Sequence, residues 1–381
     1  MSLFNVYPLF DVTPVKGKDV FIYDNNDTKY LDLYGGHAVI SIGHAHPTYT
    51  RAISNQVNTI GFYSNSIQNP LQSKLAKEIT TISHCKDYQL FLCNSGAEAN
   101  ENALKLASFY TGKKKVIAFK NSFHGRTSAA VVATDNPKII APINRQQEVI
   151  FIEFEDLDGV EKALQNNDIC AIIIETIQGV GGLNEASTSF YKGLEKLSKE
   201  YNSLLIMDEI QSGFGRTGDF FAYQKHDVTP DIISMAKGMG NGFPIGGILI
   251  HPKIEASFGL LGTTFGGNHL ACAASLAVIN VLQKEDLMTN VKTASKYFIK
   301  KLNEIPEVDS IKGRGLMLGI EFSFPVNSIR ESLILNEHIF TGNSKKPNLL
   351  RLLPSLTIQK EHIDIFINAL KRTISTKQKI N

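Results

Sequence analysis

The sequence predicts an α/β fold, in which a large domain with a mostly parallel central sheet carries a smaller α+β domain. Short apolar runs rich in Ile and Val recur through the middle of the chain, and most lack the alternation of a half-buried strand. They therefore fit strands that are buried on both faces of a sheet. Amphipathic helical stretches separate several of these runs, which is typical of α/β domains. The candidate strands span 89–94, 116–119, 129–133, 149–154, 169–175, 204–210, 232–235 and 247–250, and the candidate helices span 100–110, 159–165 and 190–201.

The two ends of the chain show a different pattern. Residues 16–34 predict a short strand meander with a turn at 25–27. Residues 290–303 form an amphipathic pattern, a strand is predicted at 316–322, and a last helix is predicted near 361–372. These elements predict a small C-terminal domain with the N-terminal segment packed near it. The predicted division is an N-terminal segment over 1–45, a large cofactor-binding domain over 46–286 and a small domain over 287–381.

The composition excludes several classes of protein. The chain has 381 residues, which allows two or three domains. Its 39 Lys and Arg nearly balance its 37 Asp and Glu, so we expect neither a nucleic acid nor a membrane surface as partner. No apolar run approaches the roughly 18 residues of a spanning helix. The four cysteines share no metal-binding spacing, and we interpret them as buried thiols of a soluble cytoplasmic protein.

Two chemically active side chains lie at the ends of neighbouring candidate strands. Asp208 closes the run 204–210, and Lys237 follows 232–235 and enters a glycine-rich loop. Ligands of open α/β sheets gather at the carboxyl ends of strands. Taken singly, Asp208 could be a helix cap or a surface ion pair, and Lys237 could be a surface lysine. Taken together, they are the pair that pyridoxal phosphate requires, a Schiff-base lysine and an aspartate at the pyridinium nitrogen.

A phosphate site is predicted at the start of a helix. Ser95, Gly96 and Ala97 lie where the candidate strand 89–94 turns into the next helix. A helix N-terminus offers free backbone N–H groups and the positive end of the helix dipole, and Ser95 adds a hydroxyl. Ordinary N-capping explains Ser95 equally well. It does not explain why cap, carboxylate and lysine follow one another on successive strand ends.

Two alternatives come from other classes of protein. Residues 213–218 match the G-x-G-x-x-G pattern of a nicotinamide-dependent dehydrogenase. That site requires the loop to open directly into a helix, whereas here aromatic residues and a turn at Thr229 and Pro230 follow. The second alternative is a non-catalytic relative that acts as an assembly partner.

The histidines predict no metal site. His44 and His46 share an H-x-H spacing, but no third ligand is indicated. His124 and His269 lie near the presumed cofactor loops. We expect them to support the site by hydrogen bonding, because Lys237 already supplies a base.

These segments together resemble the class III (omega) aminotransferases, which are pyridoxal-phosphate enzymes of fold type I. The block from Asp208 to Lys237 is the most specific part, and 30–47 and 312–321 extend the resemblance over nearly the whole chain. Residues 123–127 and 262–268 are most similar to members that act on acylated ornithine. The implied reaction moves the δ-amino group of N-acetylornithine to 2-oxoglutarate, giving N-acetylglutamate 5-semialdehyde and glutamate in arginine biosynthesis. N-succinylornithine, ornithine and 4-aminobutyrate are alternative donors within the class.

The resemblance also implies a set of cofactor contacts. Lys237 would bind the cofactor covalently and carry the proton between the substrate Cα and the cofactor C4′. Asp208 would keep the pyridinium nitrogen protonated, and Gln211 would approach the phenolic oxygen. Phe123 would stack on the ring, which suits a flat aromatic cofactor. The turn at Ser95, Gly96 and Ala97 would hold the phosphate.

Substrate contacts and a second subunit are implied in the same way. Arg126 would bind the α-carboxylate of the acylated ornithine, and Arg351 would bind that of glutamate or 2-oxoglutarate, because a guanidinium binds carboxylate bidentately. Thr264 would reach the phosphate of the other subunit, and Thr263 would lie beside the substrate. The enzyme is therefore expected to be a homodimer with shared active sites.

One position departs from the family pattern. Val180 stands where many members carry a glutamate, and in relatives acting on ω-amines that glutamate can pair with the arginine matching Arg351. We therefore expect Arg351 to stay available or to pair elsewhere. Our hypothesis is that the less polar wall suits a different acyl chain on ornithine, such as succinyl.

Overall fold

The computed structural model of the chain describes residues 3–166 and 168–380, without the side chains of 377–380. Within these residues the strands form three sheets. The strands are β1 (Pro14–Lys18), β2 (Phe21–Asp24), β3 (Lys29–Asp32), β4 (Gln89–Cys93), β5 (Lys115–Phe119), β6 (Val149–Ile152), β7 (Ile169–Glu175), β8 (Leu204–Asp208), β9 (Ile232–Met235), β10 (Gly246–Ile250), β11 (Ser310–Arg314), β12 (Met317–Glu321), β13 (Ile339–Phe340) and β14 (Leu349–Leu352).

The central sheet has seven strands in the order β4-β10-β9-β8-β7-β5-β6. The neighbouring strands from β9 to β6 pair in parallel, whereas β10 runs antiparallel to both of its neighbours. Every residue of β7, β8 and β9 is buried. The prediction of an α/β fold with a mostly parallel central sheet is confirmed.

Helices cover both faces of this sheet. On β8, Leu205 and Met207 belong to the same buried cluster as Leu194 of the helix 188–200. Ile206 points the other way, into a cluster with Ala103 of the helix 96–111. The absence of a polar face explains why these strands are apolar throughout. The helices are α1 (Gly35–Ala38), α2 (Pro47–Thr59), α3 (Pro70–Ile82), α4 (Gly96–Thr111), α5 (Ser128–Val132), α6 (Leu157–Asn166), α7 (Thr188–Glu200), α8 (His269–Lys284), α9 (Leu287–Leu302), α10 (Asn327–Leu335) and α11 (Lys360–Ile380).

Two small sheets lie outside the central one. The first has the order β1-β2-β3-β13, and the second has the order β11-β12-β14. Strand β13 pairs in parallel with β3, so the N-terminal meander and the C-terminal part share one sheet. Helices α9 and α11 pack together through Phe298 and Phe366, whose ring centroids lie 5.6 Å apart. The domain boundaries near residues 45 and 286 stay a prediction.

One predicted strand is wrong. The apolar run 129–133 forms the short helix α5 instead. The carboxylate of Glu101 accepts hydrogen bonds from the backbone N–H groups of Ala129 at 2.9 Å and Ala130 at 3.1 Å, which satisfies the first turn of that helix. A short apolar run does not by itself distinguish a buried strand from a buried helix, and here a side chain from α4 decides.

The loop 213–218 has a structural role and does not form a dinucleotide site. It leads into a short 3₁₀ helix at Ala222–His226 and not into a long helix. Arg216 is fully buried and donates hydrogen bonds to the carbonyl oxygens of Leu316, at 3.2 Å, and Pro354. The loop therefore ties the central sheet to the C-terminal part of the chain.

Three further features concern the described part of the chain. No helix in it is both long and apolar enough to cross a membrane. No group of metal-ligating side chains occurs among the described residues. The four cysteines are free and buried.

Candidate active site

A cavity of about 350 Å³ opens at the carboxyl ends of the parallel strands. Its lining includes the last residues of β7 and β8, the residues after β9 and the start of α4. This is the edge at which open α/β sheets bind ligands, and the volume suits a small cofactor or substrate. Among the sequence-predicted site residues, the cavity lining includes Ser95, Gly96, Ala97, Phe123, Arg126, Asp208, Gln211 and Lys237.

Lys237 occupies a strained turn directly after β9. Its φ of 47° lies in the left-handed region, which bulky residues rarely adopt and which often marks functional sites. Burial lowers the pKa of Lys237 to about 8, against the opposing effect of the Asp208 and Glu175 carboxylates. A lysine with such a pKa carries a substantial fraction of neutral amine near neutral pH. It can therefore act as a nucleophile and as a base.

Asp208 is held by two neighbouring side chains. Its Oδ2 accepts hydrogen bonds from His124 Nδ1 and from Asn100 Nδ2, each at 2.7 Å. Its Oδ1 accepts one from the backbone N–H of Ile210 at 3.1 Å. Asp208 is only 4% exposed, so these bonds set the direction of its carboxylate inside the cavity. The expectation that His124 supports the site by hydrogen bonding is what the geometry shows.

Glu175 is a site residue that sequence reasoning did not select. It ends β7 in register with Asp208 on β8 and lines the cavity. Its carboxylate accepts hydrogen bonds from the backbone N–H groups of Phe123 at 2.9 Å and Gly179 at 2.8 Å. Burial raises the pKa of Glu175, and the nearby Asp208 adds to this effect. The signal was the one that identified Asp208, a carboxylate that closes an apolar strand.

The start of α4 forms an anion-binding cradle. Ser95 caps this helix of 16 residues by accepting a hydrogen bond from the backbone N–H of Glu98 at 3.2 Å. Within the described residues, the backbone N–H groups of Gly96 and Ala97 have no hydrogen-bond acceptor, and both residues line the cavity. A Cβ at Gly96 would lie 2.8 Å from the side chain of Ile210. The helix start therefore packs directly against the segment that follows Asp208 and presents free donors to the cavity.

Gln211 connects the cavity to residues deeper in the protein. Its Nε2 donates a hydrogen bond to the carbonyl oxygen of His37 at 3.2 Å. Its Oε1 lies 3.5 Å from Nη1 of Arg351. Gln211 thus stands between the open cavity and this buried arginine, and it ties both to the N-terminal segment.

Arg126 and Arg351 differ in exposure but share an unusual feature. Arg126 is exposed at the cavity, whereas Arg351 is buried on β14. Arg351 donates hydrogen bonds to the carbonyl oxygens of Gly179, at 2.8 Å, and Asn343. Neither guanidinium has a carboxylate oxygen of the described residues within 4.0 Å. Arg126 is therefore available to a carboxylate ligand in the cavity, whereas Arg351 lies behind Gln211 and is not part of the cavity lining.

The two predicted threonines do not line this cavity. Thr263 accepts hydrogen bonds from the side chain of Asn94, at 3.4 Å, and from the backbone N–H of Gly266, at 3.1 Å. Thr264 is exposed. Their contribution to the site of another subunit stays a prediction.

The remaining histidines serve the fold. His44 contacts Asp32, and His46 contacts Glu285, each at 2.9 Å. Nδ1 of His269 is buried without a partner among the described atoms, and His269 is not part of the cavity lining. The support expected from His269 is therefore not seen in this cavity.

Comparison with known proteins adds independent information. The family model described as aminotransferase class-III matches residues 5–374. The chain is 39% identical over 387 residues to the acetylornithine aminotransferase of Bacillus subtilis (strain 168), covering 100% of this chain and 99% of that protein.

Two solved structures share the fold. The N-acetylornithine aminotransferase of Stenotrophomonas maltophilia K279a superposes with a TM-score of 0.83 at 30% identity, covering 98% of this chain and 98% of that one. The ornithine aminotransferase of Toxoplasma gondii, crystallized with oxidized glutathione, superposes with a TM-score of 0.88 at 27% identity, covering 98% of this chain and 92% of that one. That structure has partial occupancy of PLP at its active site.

The lowered pKa of Lys237 predicts selective reactivity. In protein freed of small molecules, reductive alkylation of Lys237 should rise through a midpoint near pH 8, because the unreactive ammonium loses its proton there. Asp208→Asn removes a charge that stabilises the Lys237 ammonium, so the midpoint of Lys237 alkylation in this variant should move to lower pH. Peptide mass spectrometry after aldehyde and cyanoborohydride treatment measures the profile. Lys237→Arg controls for peptide assignment, and a midpoint near the ordinary lysine value of about 10.4 contradicts the prediction.

Proposed function

This chain belongs to the class-III aminotransferase family, and from that membership we propose that it transfers the δ-amino group of N-acetylornithine to 2-oxoglutarate. The products are N-acetylglutamate 5-semialdehyde and glutamate, in a step of arginine biosynthesis. The observation that carries the proposal is one cavity that combines Lys237 and Asp208 with the free amides of α4 and Arg126. The similarity to acetylornithine aminotransferases over the whole chain selects the substrate.

The residues of the cavity fit pyridoxal phosphate. The free N–H groups of Gly96 and Ala97 suit a phosphate at the helix N-terminus. The carboxylate of Asp208 suits a protonated pyridine nitrogen, and the ring of Phe123 offers an apolar face. The chemistry that pyridoxal phosphate supplies when bound is an electron sink for the substrate carbon that loses its proton.

The protein contributes proton transfer and orientation. The amine of Lys237 has a pKa near 8, so it can accept a proton from the substrate carbon. It can then donate that proton to the cofactor carbon that was bonded to the amine. Asn100 and His124 keep the carboxylate of Asp208 pointed into the cavity. Glu175 holds the backbone of Phe123 at its amide nitrogen, which fixes the ring at the cavity wall.

Two arginines allow one cavity to serve both half-reactions. Arg126 at the cavity would bind the α-carboxylate of the acylated ornithine. Arg351, behind Gln211, would bind the α-carboxylate of glutamate or 2-oxoglutarate. Because the two substrates occupy the same cavity in turn, we expect ping-pong kinetics.

A panel of amino donors tests the reaction. With 2-oxoglutarate as acceptor, we expect N-acetylornithine to give a higher kcat/KM than N-succinylornithine, ornithine or 4-aminobutyrate. The purified protein should show visible absorption that borohydride abolishes. Lys237→Ala should lose this signal and at least about 10³-fold in kcat, since it removes both base and nucleophile. Protein that stays colourless with added pyridoxal phosphate would falsify the assignment.

Val180 bears on the acyl group and on the second substrate. It lines the cavity next to Gly179, whose carbonyl oxygen accepts a hydrogen bond from Arg351. An apolar side chain here offers Arg351 no carboxylate partner at position 180 and makes the wall less polar. We retain the hypothesis that this wall widens acceptance toward acyl chains such as succinyl.

A carboxylate at position 180 should compete with the second substrate. In Val180→Glu we expect the KM for 2-oxoglutarate to rise about tenfold, because the new carboxylate pairs with Arg351. The preference between N-acetylornithine and N-succinylornithine should also change. Val180→Gln is the matched uncharged control and should keep the KM for 2-oxoglutarate within about twofold of the wild-type value. An unchanged acyl preference in Val180→Glu sinks the hypothesis on the wall.

We also propose a homodimer with shared active sites. The side chains of Phe62 and Phe265 lie in contact, with ring centroids 5.3 Å apart, yet they are 43% and 59% exposed. Asn65 ties their two loops together by donating to the carbonyl oxygen of Thr263 at 3.1 Å. An exposed apolar surface of this kind is typical of a protein interface. Because Thr264 lies on this surface, a second copy seated there would receive it.

Mixed dimers test whether Thr264 serves the other subunit. Thr264→Ala should weaken pyridoxal phosphate binding about tenfold by removing a hydrogen bond to a charged group. Co-expression of Thr264→Ala with Lys237→Ala should give more activity than the two variants assayed separately. In each mixed dimer, one site then has Lys237 from one subunit and Thr264 from the other. Ser257→Ala, in the same exposed segment, is the matched control. No gain on mixing, or a monomer by light scattering, contradicts the shared site.

We propose a cytoplasmic location for the enzyme. The four thiols are free and buried, as expected for a protein of a reducing compartment. The substrates are small metabolites, which fits the same compartment.

A further inference from the structure

The short element α1 (Gly35–Ala38), between β3 and α2, is not a regular right-handed helix but a turn with an unusual backbone. Gly35, Gly36, His37 and Ala38 have φ values of 54°, 55°, 70° and 66°. Left-handed backbone is uncommon outside glycine and costly for alanine, and such strain persists only where the surroundings impose it. Here the carboxylate of Asp32 accepts hydrogen bonds from the backbone N–H groups of Gly35 and of the residue before it, at 2.8 and 3.0 Å. The turn is therefore held in place, and it presents two side chains toward β14.

These two side chains form a chain of hydrogen bonds with Arg351. The hydroxyl of Tyr34 lies 2.5 Å from Nδ1 of His37, and Nη2 of Arg351 lies 3.4 Å from the same hydroxyl. A guanidinium has donors only, so the Tyr34 oxygen must accept from Arg351. The hydroxyl proton of Tyr34 is then free to be donated to His37.

His37 can accept a hydrogen bond from the Tyr34 hydroxyl because its ring is neutral. Burial lowers the pKa of His37 to about 4, and the neighbouring cations Lys237, Arg351 and Arg330 add to this effect. Protonation of Nδ1 would leave the Tyr34 hydroxyl without its acceptor. The positive charges at this end of the cavity thus keep the acceptor in place.

Within the described part of the chain, neither guanidinium at this end forms a direct ion pair with a carboxylate. Arg330 donates to the carbonyl oxygen of Thr341 at 3.0 Å and lies 4.9 Å from the ring of Phe10. Among the described residues, no carboxylate oxygen lies within 4.0 Å of Arg330 or Arg351. Two guanidinium groups near one phenol make their hydrogen bonds to neutral atoms, so no direct ion pair competes with an entering carboxylate.

We propose that Tyr34, held by His37, is a positioning residue that orients Arg351 for the α-carboxylate of the dicarboxylate substrate. The naming of glutamate and 2-oxoglutarate as these substrates rests on the proposed function. The Tyr34 hydroxyl is uncharged, so it orients the Arg351 guanidinium without competing with the substrate carboxylate for an ion pair. Tyr34 therefore determines affinity in one half-reaction and leaves the acylated ornithine, at Arg126, largely unaffected.

The same turn is connected to the cavity by a second route. Nε2 of Gln211 donates to the carbonyl oxygen of His37, while its Oε1 faces Arg351. Gln211 lines the cavity, whereas Tyr34 and His37 do not. The turn thus acts on the substrate only through Arg351 and Gln211, which is why we assign it a positioning role.

Tyr34→Phe tests the proposal. It keeps the ring beside Arg351 and removes only the hydroxyl. We expect the KM for 2-oxoglutarate to rise about fivefold to tenfold, while kcat and the KM for N-acetylornithine stay within about twofold. Calorimetry with glutarate, an unreactive dicarboxylate, on the loaded enzyme should show affinity reduced by the same factor.

Two sets of control variants separate positioning from a loss of structure. Tyr30→Phe removes another hydroxyl of the same segment, bonded to Asp24 at 3.2 Å, and should change neither KM. His37→Ala should reproduce the effect of Tyr34→Phe. His37→Asn keeps an acceptor near the Nδ1 position and tolerates left-handed backbone, so it should restore most of the affinity.

The outcomes distinguish this inference from the proposed function. If Tyr34→Phe raises both KM values equally, or leaves glutarate binding unchanged, the positioning role is overturned. If the wild-type enzyme does not use 2-oxoglutarate, the proposed function fails instead. Glutarate binding still tests the contact between Tyr34 and Arg351 in that case.

Discussion

The site depends on the parallel register of β7 and β8. Because these strands pair in parallel, with Glu175 opposite Asp208, two carboxylates reach the same edge of the sheet. β9 pairs in parallel with β8 and delivers Lys237 to that edge three residues beyond the register partner of Asp208. Parallel strands require crossover helices, and α4 begins at this same edge with its free N–H groups. One sheet geometry therefore brings together a base, a counter-charge and an anion cradle.

Burial and charge act in opposite directions on Lys237. Burial alone favours the neutral amine, and the carboxylates of Asp208 and Glu175 favour the ammonium. The result is a pKa near 8, which permits the same side chain to give and take a proton close to neutral pH. The raised pKa of Glu175 belongs to the same balance, because burial disfavours its charged form and the nearby Asp208 carboxylate adds to this effect.

Much of this arrangement could be predicted from sequence, and the failures have physical causes. Asp208, Lys237 and Ser95 follow apolar runs directly, so their position at strand ends was visible in the local pattern. Glu175 shows the same local pattern at the end of β7, so the pattern by itself does not separate a residue of this kind from Asp208. The run 129–133 was misassigned because its helix is stabilised by Glu101 from another element. The contact between Tyr34 and Arg351 joins residues 317 positions apart, and no local pattern reports such a pair.

The two charged groups at and behind the cavity, Asp208 and Arg351, are oriented by different means. At Asp208, hydrogen bonds from Asn100 and His124 orient a protein carboxylate. At Arg351, neutral acceptors from Tyr34 and Gly179 orient a protein cation. In both places hydrogen bonds within the protein fix the direction of the charged group, and at Arg351 no carboxylate of the described residues lies within ion-pair distance. A buried ion pair at Arg351 would satisfy its hydrogen bonds and balance its charge within the protein. Because no such pair forms, an entering substrate carboxylate can take the place of the ion-pair partner.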